Sequence, residues 1–452
     1  MRARMEGMDY KTESVCPVCL RALPAELIQS EAGVTMLKTC PEHGEFKTVV
    51  WREPEGFGDW NIPSEFTPPL TALTKREKGC PHDCGTCNEH KQQACCVLLE
   101  VTHNCNQNCP YCYASAAGHS EDPSFEAVVE WMKYLREIGE ERPFNIQLSG
   151  GEPTLRDDLP ELIRMAKSMG FPYVQLNTNG KRLADDADYL RALKEAGLSS
   201  VFLQFDGTQE SIYEAMRGEP LLKRKIQALE RCVENGLGTV LVPTLVPGVN
   251  DQDIGAIIRF GLKYLPTVKG IHFQPASYFG RFPCAPADKD RMTLPEVMQL
   301  IEEQMSGAVK KKHFRPLQSG NPLCSFTGSF TLMENGELVP VKENGGCCGV
   351  QTKSAALRAR NFVLNKWVFH DSTSQKSSSE SQCDFGEWDA YIRRIRDYGF
   401  SISGMAFQDA WNMDLNRLKA CTIHIFHPET RRLIPFCAYN LTDTSGNPLY
   451  RR

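Results

Sequence analysis

Short, almost continuously apolar segments alternate with amphipathic segments between about residues 97 and 290. The apolar segments are rich in Val, Ile, Leu and Phe, which is typical of strands buried on both faces of a sheet. The predicted strands are Val97–Thr102, Asn145–Ser149, Tyr173–Asn177, Ser200–Phe205, Thr239–Val246 and Gly270–Pro275. The predicted helices between them are Phe125–Ile138, Leu159–Met169, Ala184–Ala196, Leu221–Asn235 and Asp251–Leu265. Because a helix separates each pair of strands, the pattern predicts a parallel sheet with right-handed crossovers.

The chain divides into four blocks around this α/β pattern. Six strands are too few for an eight-stranded barrel, so we expect a partial barrel or an open sheet over residues 97–290. A small metal-binding lobe of the rubredoxin or zinc-ribbon kind is predicted for residues 1–75, and a Cys-rich connector for residues 76–96. The remainder, residues 291–452, is predicted to be a C-terminal α+β extension that carries auxiliary or substrate-binding functions.

Composition and charge exclude several classes of function. The chain has 452 residues, 41% apolar and 24% charged, with a net charge of −5 and no long block of one sign. A basic surface for nucleic acid is therefore not expected. The N-terminus lacks the apolar run of a signal peptide. The longest apolar stretch, Leu237–Val249, contains two prolines and is shorter than the roughly 20 residues of a spanning helix. We expect a cytoplasmic protein without a transmembrane segment, and leave peripheral membrane contact open.

Cysteine is the most informative residue type. The chain has 19 cysteines, and 11 of them lie at or before Cys112. A cytosolic protein keeps its thiols reduced, so clustered cysteines indicate metal rather than disulfides.

The first predicted strand runs directly into a loop with the spacing C-x3-C-x2-C. Its cysteines are Cys105, Cys109 and Cys112. Three closely spaced thiolates can hold three irons of a [4Fe–4S] cluster, which leaves the fourth iron free to bind a ligand. The alternative is a structural zinc knuckle, which needs a fourth ligand from elsewhere.

The next three predicted strands also end in motifs that suit ligand binding. In α/β barrels, reactive groups lie on loops at the C-terminal ends of the strands, so these motifs should share one rim. The glycines permit close approach of the backbone to a ligand. Glu152 or neighbouring backbone groups can receive an ammonium, and the later polar residues can bind hydroxyls. The candidate cofactor-binding residues are Gly150, Gly151, Glu152, Pro153, Asn179, Gln204 and Asp206.

Together these motifs resemble the radical S-adenosylmethionine (SAM) enzymes. The loop sequence CNQNCPYC is similar to the cluster motif of that superfamily, and the GGEP sequence to its methionine-binding motif. The resemblance implies a partial (β/α)6 TIM-like barrel and a SAM molecule that chelates the open iron. It further implies a reductant such as ferredoxin or flavodoxin, whose electron splits SAM into methionine and a 5′-deoxyadenosyl radical that abstracts a substrate hydrogen.

Two further cysteine sets precede the loop. The connector holds a second C-x3-C-x2-C of Cys80, Cys84 and Cys87, with Cys95 as the expected fourth ligand of an auxiliary [4Fe–4S] cluster. A zinc site is the alternative there. The N-terminal set follows C-x2-C…C-x2-H spacing, which suits mononuclear zinc or a rubredoxin-like iron. Its members are Cys16, Cys19, Cys40 and His43.

The C-terminal cysteines allow two interpretations. Cys324, Cys421 and Cys437 can hold a further auxiliary cluster, with its fourth ligand from the Cys347-Cys348 pair. Alternatively, Cys347 and Cys348 form a reactive thiol pair on a glycine-rich loop and act as catalytic residues on the substrate.

The resemblance extends to two groups within the superfamily. The connector GCPHDCGTCNEHKQQAC and the runs LVPTLVPGVND and FQPASYFGR are similar to the tetraether-lipid-synthase-like branch. The run HPETRRLIPFCAYN is similar to the TrsS-type radical SAM (seleno)proteins. The first resemblance implies C–C bond formation on lipid chains. The alternatives are modification of a peptide or small molecule with the Cys347-Cys348 thiols, and a non-catalytic Fe–S or zinc electron-transfer scaffold.

Overall fold

The computed structural model describes residues 10–61, 66–69, 72–116, 121–139, 143–317, 319–341, 355–369 and 394–451. The strands are β1 Tyr10–Val15, β2 Ala22–Ser30, β3 Gly33–Cys40, β4 Gly44–Trp51, β5 Cys96–Thr102, β6 Asn145–Gly150, β7 Val174–Thr178, β8 Ser200–Gln204, β9 Thr239–Val242, β10 Thr244–Leu245, β11 Val268–Pro275, β12 Ser325–Leu332, β13 Leu338–Pro340, β14 Gly399–Met405, β15 Ile423–His427 and β16 Arg432–Pro435. The α-helices are α1 Pro54–Trp60, α2 Phe125–Ile138, α3 Leu159–Ser168, α4 Lys181–Asp185, α5 Ala187–Glu195, α6 Glu210–Arg217, α7 Leu222–Glu234, α8 Ile254–Lys263, α9 Leu294–Gln304, α10 Ala355–Trp367, α11 Leu415–Leu418 and α12 Phe436–Tyr439. Short 3-10 helices are formed by Pro153–Leu155, Asp251–Asp253, Asp288–Asp290, Lys311–His313 and Pro322–Cys324.

The six predicted strands of the α/β block form the parallel core of a large sheet. Strands β5, β6, β7, β8, β9 and β11 are neighbours in chain order, and each pair is parallel. The predicted helices lie between them, with the third divided into α4 and α5 and the last preceded by a 3-10 turn. The α/β prediction is therefore confirmed.

The two faces of these strands differ more than the apolar pattern indicates. In β6, Ile146 and Leu148 belong to the main hydrophobic core, whereas Asn145, Gln147 and Ser149 line an interior cavity. Since successive side chains of a strand point to opposite faces, the alternate polar positions produce a partly polar barrel interior.

Strands from the C-terminal extension join this sheet at both of its edges. β14 pairs in parallel with β11, and β15 pairs in parallel with β5. Strands β12, β13 and β16 continue the sheet in antiparallel fashion. The β5 edge is further fixed by a buried ion pair between Glu100 and Arg451 at 2.5 Å.

The N-terminal lobe is a four-stranded antiparallel sheet, β1–β4. It contacts the C-terminal extension through buried Lys38, whose Nζ donates to the carbonyl of Ala410 at 2.8 Å. Thr12 also donates to Asp414 at 2.7 Å. In the described segments, no helix has the length and apolar character needed to cross a membrane.

Candidate functional site

Cys105, Cys109 and Cys112 lie on the loop after β5, at the mouth of the interior cavity. Arg281 fixes this loop, since its Nε donates to the carbonyl of Cys109 at 2.7 Å and its backbone pairs with Cys112. Among the described residues, these thiols do not form a group whose ligand atoms all lie within 4.8 Å. A single tetrahedral ion needs sulfur atoms roughly 4 Å apart, given a metal–sulfur bond of about 2.3 Å. The wider spacing suits a multinuclear cluster. Burial raises the pKa of Cys105 to about 12, and a bound metal would favour its thiolate form.

Gly150 and Gly151 are required because the backbone at the end of β5 lies against them. A Cβ on Gly150 would lie 2.0 Å from the carbonyl oxygen of Thr102, and one on Gly151 would lie 2.1 Å from that of Asn104. Gly150 also has a positive φ of 122°, which favours glycine. The two glycines thus allow the end of β6 to pack directly against the backbone that leads into the cluster loop, in addition to lining the cavity.

Glu152 is buried and organises this rim. Its Oε1 accepts hydrogen bonds from the backbone and hydroxyl of Thr154 and from the hydroxyl of Thr178. Its Oε2 accepts from the backbone N–H of Asn179 at 2.7 Å. A carboxylate has about four acceptor positions, two on each oxygen. Oε2 is therefore the atom with a position left for an ammonium group.

A buried lysine that the sequence analysis did not identify links the ends of β7 and β8 through hydrogen bonds. Lys225 on α7 donates to the backbone carbonyl of Asn179 and, at 2.9 Å, to Oε1 of Gln204. Burial lowers the pKa of this amine to about 8. Both Asn179 and Gln204 line the cavity, so Lys225 orients two of the predicted cofactor-binding residues.

Asp206 is fully buried in an ion pair with Arg217 on α6. The guanidinium donates to both carboxylate oxygens at 2.7 and 2.8 Å. The backbone N–H of Thr244 and the amide of Gln204 supply two more donors. All four acceptor positions are thus used, and the geometry gives no support to a direct contact of Asp206 with a ribose hydroxyl. Pro153, like Asp206, is absent from the lining of the cavity, while the other five predicted cofactor-binding residues belong to it.

Arg217, like Lys225, is a residue of the site that the sequence analysis did not identify. It lines the cavity, and its Nη1 donates to the carbonyl of Tyr111 in the cluster loop at 3.2 Å. Burial raises the pKa of Cys109, and the Arg217 guanidinium opposes that rise. In the sequence, the only indication of a role for Arg217 was its position eleven residues after Asp206.

A cavity of about 340 Å³ extends from the cluster loop into the barrel. Phe202 on β8, His272 on β11 and Trp367 on α10 form an aromatic cluster in its wall, with ring centroids 5.5–6.3 Å apart. Amide side chains on β6 and β7 form a neighbouring polar strip. Most ligand sites combine a largely apolar lining with a few polar groups in this way.

The N-terminal set converges on a single point. The ligand atoms of Cys16, Cys19, Cys40 and His43 all lie within 4.8 Å of one another. The Sγ of Cys40 is 3.4 Å from Nδ1 of His43 and 4.0 Å from the Sγ of Cys19. These separations suit one tetrahedral ion. Burial raises the pKa of Cys40, but hydrogen bonds from the backbone N–H groups of Glu42 and His43 and from the His43 side chain outweigh it and lower the pKa to about 6.

Replacing Cys40 by serine is expected to remove this ion, because the site loses one of four ligands. The measurement is metal per chain by inductively coupled plasma mass spectrometry, which should fall by one ion while iron on the cluster loop is retained. In the wild type, the affinity for the ion should fall progressively as the pH drops below the pKa of the free Cys40 thiol, about 6, since protons compete with the metal for the thiolate. Exposed Cys284 provides the control in Cys284→Ser. Retention of the ion by Cys40→Ser would contradict the assignment.

The connector cysteines have a neighbour that the spacing did not indicate. The thiol of buried Cys84 interacts with those of Cys80, Cys87 and Cys421. Cys95, the predicted fourth ligand, hydrogen-bonds through its backbone to Thr422 and lines the barrel cavity. Cys95 stays a prediction as the fourth ligand, and Cys421 is a second candidate.

Cys324, Cys421 and Cys437 lie near one another: burial raises the pKa of Cys421, with Cys437 and Cys324 adding to the rise, and burial likewise raises the pKa of Cys437, with Cys324 adding to it. The buried guanidinium of Arg417 contacts the Sγ of Cys324 at 3.4 Å. The predicted C-terminal cluster stays a prediction. Cys347 and Cys348 lie outside the described residues.

Comparison with known proteins identifies relatives along most of the chain. A model of the radical SAM superfamily matches residues 99–261, and a model of the HMPTM N-terminal zinc ribbon domain matches residues 8–52. The 7,8-dihydro-6-hydroxymethylpterin dimethyltransferase of Methanocaldococcus jannaschii is 36% identical over 480 aligned residues, 96% of this chain and 94% of that protein. A probable GTP 3′,8-cyclase of Methanothermobacter thermautotrophicus is 30% identical, over 38% of this chain and 55% of that protein.

Solved structures give weaker likenesses. Streptococcus suis SuiB bound to the precursor peptide SuiA is similar with a TM-score of 0.40 and 12% identity, over 47% of this chain and 46% of that chain. Native anSMEcpe with bound AdoMet is similar with a TM-score of 0.38 and 16% identity, over 47% of this chain and 59% of that chain.

Proposed function

The chain belongs to the radical SAM superfamily, and on that premise we propose that it methylates a neutral fused heterocycle of the pterin type. The cofactors of the superfamily, a [4Fe–4S] cluster and SAM, supply reductive cleavage of SAM and a 5′-deoxyadenosyl radical when bound. Cys105, Cys109 and Cys112 would hold the cluster. Oε2 of Glu152 and nearby backbone groups would receive the ammonium of SAM, and Asn179 and Gln204 its hydroxyls.

The observation that carries the proposal is the scarcity of charged side chains among the described residues that line the barrel. Among the described residues that line the cavity, only Glu152 and Arg217 carry a charge, and both lie at the rim. His272 is neutral inside, because burial lowers its pKa to about 4. Burying an unpaired carboxylate or phosphate costs several kcal/mol or more. The part of the substrate that enters is therefore uncharged, which favours a pterin over a nucleoside triphosphate.

The polar strip counts against the lipid hypothesis from the sequence. Asn145, Gln147, Gln175 and Asn177 line the cavity, and an acyl chain offers these amides no hydrogen-bond partner. Displacing water from such groups without replacing its hydrogen bonds is unfavourable. The relative that aligns over almost the whole chain is named for a pterin substrate, which agrees with this chemistry.

The alternative of a non-catalytic electron-transfer scaffold is disfavoured because the groups needed to hold the cluster and SAM are present at the rim of the cavity. The three loop cysteines, the Glu152 carboxylate and an accessible cavity are all present in the described part of the chain. The peptide alternative with the Cys347-Cys348 thiols involves residues outside the described ranges and draws no support from the cavity.

The test is anaerobic incubation of reconstituted enzyme with SAM, dithionite and one candidate substrate at a time. We expect 7,8-dihydro-6-hydroxymethylpterin to stimulate formation of 5′-deoxyadenosine and to gain one or two methyl groups by mass spectrometry. For each methyl group, one SAM is cleaved to abstract the hydrogen and a second SAM donates the methyl and leaves as S-adenosylhomocysteine, with dithionite supplying the electrons. GTP and an archaeal lipid extract are the comparison substrates. Stimulation by either of these, with none by the pterin, would overturn the proposal.

A further inference from the structure

Two amide oxygens in the barrel have no hydrogen-bond partner among the residues that the structure describes. They are Oδ1 of Asn145 and Oδ1 of Asn177. Both residues line the cavity, and Asn145 is only 3% exposed. A buried polar atom without a partner is rare in a folded protein. The terminal torsion of asparagine is soft, so each side chain can present its oxygen to a ligand in the cavity.

The two oxygens mark the ends of one column of amides. Gln147 on β6 is paired in register with Gln175 on β7, and their side chains are hydrogen-bonded to each other. Asn145 is two residues before Gln147, and Asn177 is two residues after Gln175. The two asparagines are thus separated by four residue steps along the strand direction and by one strand spacing, or about 14 Å between their Cα positions.

The middle of the column is already satisfied by the protein. The amide nitrogen of Gln175 donates to the hydroxyl of Tyr173 at 2.9 Å and to that of Ser200 at 3.0 Å. The nitrogen of Asn145 donates to the carbonyl of Arg360 at 3.3 Å, and that of Asn177 donates to the hydroxyl of Ser149 at 3.4 Å. Among the buried side-chain oxygens of this column that the structure describes, the two without a donor are therefore those at its ends.

An aromatic surface formed by mutually tilted rings adjoins the column. Phe202 is in register with Asn177 across β7 and β8, and its ring centroid is 5.5 Å from that of His272 and 5.7 Å from that of Trp367. Aromatic side chains favour stacking or edge contacts with planar rings. A planar ligand along the column would contact this surface.

We infer that Asn145 and Asn177 bind the two opposite ends of the substrate by accepting one hydrogen bond each. The ligand class is a planar bicyclic ring with N–H or O–H donors at both ends. A 6-hydroxymethylpterin has this form, since it carries an amino group at one end and a hydroxyl at the other. The inference rests on the proposed function and assigns its specificity to these two side chains.

The experiment is a set of double-mutant cycles between protein and ligand. Binding is followed by the intrinsic fluorescence of three probes: 6-hydroxymethylpterin, 6-methylpterin without the hydroxyl, and 6-hydroxymethylpteridin-4-one without the amino group. The proteins are the SAM-loaded wild type, Asn145→Leu and Asn177→Leu. Each variant should bind 6-hydroxymethylpterin roughly ten- to a hundredfold more weakly, because a donor loses its buried acceptor.

The coupling pattern identifies which oxygen binds which end. In each leucine variant, removing the matching donor from the probe should cause no further loss, whereas removing the other donor should still weaken binding. Asn145→Thr and Asn177→Thr keep a neutral side-chain oxygen that can accept a hydrogen bond, and should lose less affinity than the leucine variants. Asn235→Leu, on a residue that does not line the cavity, controls for general effects of the substitution.

Other outcomes separate the two proposals. The inference would be overturned if both leucine variants kept the wild-type affinity, or if their loss of affinity did not depend on the donors of the ligand. The proposed function would still stand in that case, provided that the pterin stimulates formation of 5′-deoxyadenosine. If the wild type binds none of the three probes and the pterin stimulates no 5′-deoxyadenosine, the proposed function fails and the inference with it.

Discussion

Replacing Cys105 by alanine is expected to abolish SAM cleavage while leaving the protein folded. Cys105 lies on a loop, not in the hydrophobic core, and its thiol lines the mouth of the cavity. Two thiolates retain a [4Fe–4S] cluster poorly, so the variant should lose about four irons per chain. Any auxiliary cluster at Cys80, Cys84 and Cys87 should be retained.

The measurement combines iron content, 5′-deoxyadenosine formation and circular dichroism. Cys284→Ala is the matched control, because Cys284 is exposed and should leave all three unchanged. Iron content and SAM cleavage at wild-type levels in Cys105→Ala would refute the assignment of the cluster loop. Loss of zinc rather than iron would favour the structural zinc knuckle instead.

Replacing Arg217 by methionine is expected to lower the free energy of unfolding by about 3–5 kcal/mol. The substitution leaves the Asp206 carboxylate fully buried without its cation, and an unpaired buried charge is strongly unfavourable. The variant should also bind SAM more weakly, because Arg217 supports the cluster loop through the carbonyl of Tyr111.

Urea denaturation of the wild type and variant, under the same anaerobic loading, measures the change. Arg224→Met provides a matched control, since Arg224 pairs with Asp185 at 3.3 Å and both side chains are about half exposed. An exposed pair contributes below about 1 kcal/mol. If the two substitutions lowered the free energy of unfolding equally, the buried pair would contribute no more to stability than the exposed pair.

Much of the α/β core was predictable because its determinants are local. Each strand from Val97 to Pro275 has apolar residues at least at alternate positions, and each helix has a regular apolar spacing, so their order alone specifies parallel neighbours. The cluster loop was predictable for the same reason, since Cys105, Cys109 and Cys112 lie within eight residues. The N-terminal metal set was also identified by spacing, and its ligand atoms converge.

Other parts of the site depend on contacts between distant residues. Arg217 is an ordinary helix-terminal residue in the sequence, and only the pairing with Asp206 places it behind the cluster loop. Lys225 appears as one of several charges on an amphipathic helix, although it is 1% exposed. The contact of Cys421 with Cys84 joins residues far apart in the chain. Local patterns contain no information on such pairs.

Strands that come late in the sequence pair with each edge of the parallel core, and this has a consequence for biosynthesis. β14 and β15 pair with the outer core strands, and Glu100 forms its ion pair with Arg451. A nascent chain therefore carries an open seam, the unpaired edge of β5, until these C-terminal residues have been translated. Contacts of such long sequence separation form late. Iron delivery to the loop after β5 is accordingly expected to precede closure of the seam.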